Sequence, residues 1–390
     1  MLIQNVSALL GLDVEYKESV DIRMQNGIFT DIGEGLDSIG ESTYDGQGLL
    51  AVPGFVNCHT HIGDSIAKDI SLGLDVKGGV HPVYGVKSRV LNRTEPKHLV
   101  QFMQNTCLSM LAGGTTTFVD FREGGISGVH MAQSACDVTS IKGIILGRTN
   151  KYQDKNQIKN NIIPNNIKND LKNVIVQADG LGVSGANENS DAVLELYSET
   201  SKIRAIHAAE TAESVQDSYD MTGKGEVERA LLMKPHFLVH MVHASDTELN
   251  TVSEARIGVV ACPRSNAVLS GTIPDISRMV NMGCIVALGT DNIMVNSPDM
   301  FREMEFAWKT SNGRLTPHDT LRMATVNGGR VLGMKLGAIS MGYMADLILF
   351  EKHHISMEPM HNPYAALVHR ACADTIRAVV VDGSVVHGRM

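Results

Sequence analysis

A chain of 390 residues that is 43% hydrophobic and 20% charged holds more than one small domain needs, so one large barrel or sandwich with an appendage, or two domains, is expected. Its formal net charge of −9 gives no electrostatic attraction to nucleic acid or to an anionic membrane, and no apolar run is long enough for a membrane-spanning helix. The start, MLIQNVSALLGLDVEYKESV, shows no basic stretch followed by a long apolar one, which points to a cytoplasmic protein acting on a small molecule.

Residues 1–50 read as short strands separated by Gly and Asp turns, as in QNGIFTDIGEG and DGQG. From Ala51 to about Asn292 the rhythm changes to a β-branched run, a loop with polar residues and a longer stretch of helical spacing. The runs are LLAVPGFVNCH, TTTFVDF, IKGIILGR, GLGVSG, KIRAIHAA, HFLVHMVH, RIGVVACP and CIVALGTD, eight in all. Eight strands alternating with helices predict an α/β fold, a parallel TIM-like (β/α)₈ barrel over residues 51–336, with polar residues gathered at the carboxyl ends of its strands. Between the third and fourth runs, the Asn- and Lys-rich NQIKNNIIPNNIKND is expected as a solvated surface helix or loop. Residues 337–390 return to short strands (GAISMGYMADLILF, IRAVVVDGSVVHGRM), so both termini are expected to build one small β-sandwich beside the barrel. Six cysteines, Cys58, Cys107, Cys136, Cys262, Cys284 and Cys372, form no CxxC pair, which argues against a disulfide scaffold or a cysteine zinc module.

The carboxyl ends of the eight runs carry the chemistry. GFVNCHTHIGDS places His59 and His61 two apart, hence on one face of a strand. Asp120 ends the second run, Arg148 the third, Asn187 follows the fourth, and IHAAE brings His207 and Glu210. FLVHMVHAS offers His240 and His243, which are three apart and cannot both face inward from a regular strand; ALGTDN offers Asp291. His59, His61, His207 and Asp291 form a donor set suited to Zn²⁺ or Fe²⁺, and a dication so held lowers the pKa of bound water toward about 7. Glu210 is placed to pass a proton to a leaving nitrogen, and His240 to steady the attacking water and the developing charge. Asp120 and Arg148 could equally pair with each other or with neighbours.

These segments resemble the amidohydrolase superfamily, in the branch that holds the adenosine-type, guanine and cytosine deaminases and the chlorohydrolases. PGFVNCHTH is similar to that family's first-strand motif, HAAE to its fifth-strand ligand and acid, ACPRSN to its seventh-strand segment and GTDN to its eighth-strand aspartate. GAISMGYMADLILF and HNPYAALVHRA resemble the composite β-domain after the barrel. The resemblance implies that His240 rather than His243 orients the water, and that Asp291 both ligates and takes a proton. GLGVSGAN has no lysine to bridge two ions, so one divalent metal is implied, Zn²⁺ in preference to Fe²⁺. The implied activity is hydrolytic deamination of an amino-substituted N-heterocycle by a homodimer, with ring opening of a cyclic amide, as in imidazolonepropionases, as the alternative. After HTH the chain departs from the nucleoside deaminases. IGDSIAKDISLGLDVKGGVHPVYGVKSRV lacks their Arg-Gly segment and lid tryptophan, the only tryptophan is Trp308, and Asn187 stands where a histidine is common. Arg148, Asn187 and the Arg122–Glu123 pair of FREGG are the candidates for contacting substrate.

Overall fold

The β-branched runs become strands of two sheets, and the computed structural model describes them over residues 1–390. The N-terminal strands are β1 (Leu2–Leu10), β2 (Glu15–Gln25), β3 (Ile28–Gly33), β4 (Thr43–Asp45) and β5 (Leu49–Pro53). The barrel strands follow as β6 (Phe55–His61), β7 (Thr115–Arg122), β8 (Lys142–Gly147), β9 (Gly180–Val183), β10 (Ile203–Ala208), β11 (Phe237–His240), β12 (Gly258–Ala261), β13 (Val286–Leu288) and β14 (Asp291–Asn292). The chain closes with β15 (Leu347–Glu351), β16 (Ile376–Val381) and β17 (Ser384–Gly388).

The terminal strands pair in the order β17-β16-β15-β5-β1-β2-β3, with β4 on β1, so both chain ends share one continuous sheet. The expected sandwich is thus a single curled sheet. Its far edge returns to the middle through a bridge between Ile28 and Met344. The two-residue period of a strand explains how it attaches to the barrel. Ala51, Leu347, Leu349, Ala378 and Val380 point into the small core, whereas the intervening Leu50, Val52, Ile348, Phe350 and Val379 join the large core under the barrel helices. Both faces are buried, so these strands are almost wholly apolar.

The run LLAVPGFVNCH, expected as one barrel strand, divides at Gly54: Leu49–Pro53 pairs with Leu347–Glu351, and only Phe55–His61 enters the barrel. At Gly54 a Cβ would overlap the Thr116 side chain, so the chain can cross between sheets there only as glycine.

All barrel pairings are parallel, from β6 through β13. The eighth strand closes the ring in two pieces: β13 pairs with β12, and β14 pairs with β6 as Asp291 opposite Thr60. Between them, Asn57 locks the seam, its Nδ2 donating to Thr290 Oγ1 at 2.7 Å while its Oδ1 accepts from Thr290 N at 3.0 Å. The Asn- and Lys-rich segment is not wholly solvated: Ile158 and Ile167 are buried, and its neighbours Asp154, Lys155 and Asn156 line a cavity over the barrel. No helix is long and apolar enough to cross a membrane.

Candidate metal centre

Several barrel strands aim polar side chains at the axis from their carboxyl ends. His59 and His61 do so by strand alternation. His240 and Asp291 do so by strain: their φ values of 75° and 61° lie in the left-handed region that side chains avoid, as does that of Ala209 just before Glu210 at 51°. Such conformations persist only where the surroundings enforce them. For Asp291 the enforcement is the Asn57 seam together with Gly289, where a Cβ would come within 2.6 Å of His59 Cβ.

The result is a tight convergence of donors. His59 Nε2 lies 3.1 Å from His207 Nε2 and 3.2 Å from Asp291 Oδ1, and His61 Nε2 is 3.5 Å from the same oxygen. Two of the outward ring nitrogens are already used, His61 Nδ1 donating to Phe121 O at 3.1 Å and His207 Nδ1 to Val183 O at 2.9 Å, while His59 Nδ1 has no partner. The Nε2 lone pair of His61 faces the Asp291 carboxylate and that of His207 faces His59, an acceptor-rich spot that calls for a cation. Four ligands at tetrahedral bond lengths stand about 3.3 Å from one another. Three separations here lie near that value, and the donors form two overlapping groups, His59–His61–His207 and His59–His240–Asp291. The side chains of Phe121 and Phe237 form the floor, with Phe121 4.4 Å from the His59 ring centroid.

Burial pushes all three imidazoles down, His61 to about 3, which keeps them in the neutral, ligating form. Burial alone would raise Asp291, but the hydrogen bond with His59, with His240 and His61 nearby, holds its carboxyl well below the usual carboxylate range. Ser265 Oγ donates to its second oxygen at 2.6 Å. Burial raises Glu210, aided by the Asp291 charge and opposed by His240. Its Oε2 is 3.6 Å from His240 Nε2. Asn266 Nδ2 lies 3.1 Å from His240 Nδ1, and His240 Nε2 faces Glu210. His243 is elsewhere: it lies outside the cavity, and its backbone N–H braces Ala209 O at 2.9 Å.

Above the donors opens a cavity of about 820 Å³ whose walls include Glu210, His240, Arg148 and Asn187. Arg148 is buried, has one nitrogen 3.2 Å from Glu123 Oε1, and keeps Nε without a partner. Asn187 is tied to the scaffold, donating to Ser214 O at 2.8 Å and accepting from Arg229 at 3.3 Å. Asp120 pairs with Arg122 at 3.7 Å rather than with Arg148. The residues not foreseen are Lys87, whose ammonium lies 2.5 Å from Glu123, and Asp64, which accepts from Asn292 Nδ2 at 2.8 Å. Asp64 sits three past His61, the one local sign that it belonged to the site.

The Amidohydrolase family model matches residues 50–386. The chain belongs to the amidohydrolase family. A Methanothermobacter thermautotrophicus protein is 35% identical over 394 residues, covering 99% of both chains. A Pelotomaculum thermopropionicum protein named 5-methylthioadenosine/S-adenosylhomocysteine deaminase is 29% identical over 362 residues, 88% of this chain and 81% of that one. Among solved structures, zinc-bound atrazine chlorohydrolase from Arthrobacter aurescens aligns with a TM-score of 0.85 at 18% identity, over 98% of this chain and 94% of that one. Guanine deaminase from C. acetobutylicum with bound guanine aligns at 0.81 and 15% identity, over 98% and 99%. At those identities the two structures speak for the amidohydrolase fold alone, which is the fold expected from the sequence.

Proposed function

We propose that this amidohydrolase deaminates an amino-substituted N-heterocycle hydrolytically, releasing ammonia, with one divalent ion held by His59, His61, His207 and Asp291. Zinc is favoured by the mixed imidazole and carboxylate donor set and by the neighbour crystallised with zinc. When bound, the ion supplies Lewis acidity and a water of lowered pKa.

The observation that carries the reading is Glu210: a largely buried carboxyl with raised proton affinity, beside His240 and at the edge of the donor cluster. A protonated acid there can give its proton to a ring nitrogen as the amine carbon is attacked, and later serve the departing ammonia. Asp291, kept ionised, accepts the proton that the water gives up; Ser265 fixes its orientation. His240 presents Nε2 toward the reacting centre and stabilises charge that develops on oxygen. Arg148, whose side chain lines the cavity, contributes a donor to an acceptor atom of the ring or its substituent. Relatives named as deaminases favour this chemistry over opening of a cyclic amide.

Ammonia release tests it: metal-quantified protein should liberate ammonia from at least one of a panel of aminated purines, purine nucleosides, pyrimidines, pterins and triazines. Ring opening without ammonia would replace the reading.

A further inference from the structure

The loop after β6 brings in a lysine that the chemistry above does not use. Lys87 stands in the first turn of the helix Val86–Arg93, with its side chain only 5% exposed. Its ammonium lies 2.5 Å from Glu123 Oε1 and 3.5 Å from Asp64 Oδ2. A cation is taken out of water at such cost only with partners, and here both partners lead to the donor cluster. Glu123 Oε1 is 3.3 Å from His61 Nδ1, and its carboxylate is held also by Arg122 at 2.6 Å and Arg148 at 3.2 Å. Asp64 accepts from Asn292 Nδ2 at 2.8 Å and from Met294 N at 3.1 Å, next to Asp291. Lys87 thus joins a carboxylate on the His61 side of the centre to one on the Asp291 side.

We propose that Glu123 and Lys87 are positioning residues for His61, and that the loop between β6 and the following helix is coupled through them to metal retention. The proposal rests on the metal reading of the donor cluster. A carboxylate beside the Nδ1–H of a ligating imidazole raises the basicity of Nε2 and restrains the ring. Phe121 O takes the hydrogen bond of that N–H, and Glu123 adds charge on the same side. Lys87 keeps that charge in place and anchors the loop that departs from the nucleoside-deaminase pattern.

Zn²⁺ itself is the probe. Its dissociation constant from the full-length protein, by competition with a chromophoric chelator, is compared for wild type, Glu123→Gln, Lys87→Met, Lys87→Arg and the Lys87→Met/Glu123→Gln pair. Glu123→Gln and Lys87→Met should each weaken zinc about 10- to 100-fold. Lys87→Arg should stay near wild type, and the pair should be no weaker than Glu123→Gln alone, because both act along one path. The unfolding midpoint of each metal-free protein is recorded alongside. Unchanged zinc constants in folded Glu123→Gln and Lys87→Met overturn the proposal, as does full additivity in the pair. If Glu123→Gln fails to fold, Lys87→Met against Lys87→Arg decides. A wild type that takes up no zinc removes the metal reading itself, and this proposal with it.

Discussion

At Glu210 the largely buried carboxyl faces His240, and burial raises its proton affinity. A group that must carry a proton to nitrogen cannot be replaced by an amide. Glu210→Gln should lower kcat by about 10²- to 10⁴-fold, the usual worth of a positioned acid, while retaining zinc. Ammonia assays with metal analysis check both halves; loss of metal would reassign the residue. Glu210 and the four donors were legible because each sits at a strand end beside another polar residue, and His59 and His61 share a face by simple alternation. Lys87 was not legible. A lysine in a short helix carries no local mark of the acids that fold against it, and Asp64 and Glu123 come from two different strand ends. Spacing alone left His240 and His243 open and the family resemblance chose His240; the turn at φ 75°, which no periodicity contains, is what aims its ring inward.

The elements that carry these residues are held by a few inflexible positions. Gly289 lets β14 pass against His59, and an added methyl would have to displace β6. Gly289→Ala should cost about 1–3 kcal/mol in denaturant unfolding and weaken zinc, since overpacking moves a ligand strand; unaltered stability would show that the seam has slack. Glu226 supports the strained segment before Glu210, accepting from Ala209 N at 3.0 Å and Ser214 Oγ at 2.8 Å, and burial pushes its carboxyl from 4.5 up to about 7. Between those values the folded chain binds a proton that the unfolded chain has released, so this residue makes stability fall as pH rises from about 4.5 to about 7. Glu226→Gln should flatten the stability profile of the metal-free protein through that window; an unchanged slope would deny the shift. At this scale the sequence showed eight strand-like runs but not where the first one breaks. LLAVPGFVNCH reads as one continuous run, and the clash of any Cβ at Gly54 with Thr116 is what marks the crossing.

Across the whole molecule, a curled sheet from both termini packs on the barrel through alternating faces, and the site lies at the barrel's open end beneath loops of several strands. Composition and rhythm were enough to foresee the barrel because its strands are short, apolar and alternate with helical stretches. The pairing of the two termini was foreseeable because both read instead as short strands with Gly and Asp turns. A metal held as proposed would tie strands β6, β10 and β14 together across the barrel seam, so its removal should loosen the entire fold. Chelation should lower the unfolding midpoint in a zinc-dependent way, by about 4 kcal/mol of stability at free zinc 1,000 times the dissociation constant. The most direct test remains catalytic: ammonia release by protein carrying a measured equivalent of zinc, across aminated heterocycles, with wild type and Glu210→Gln side by side. Ammonia from at least one ring with wild type, and a loss of two orders of magnitude or more in the metallated variant, is the predicted result. Fully zinc-loaded wild type that releases no ammonia from any of them would contradict the deaminase reading.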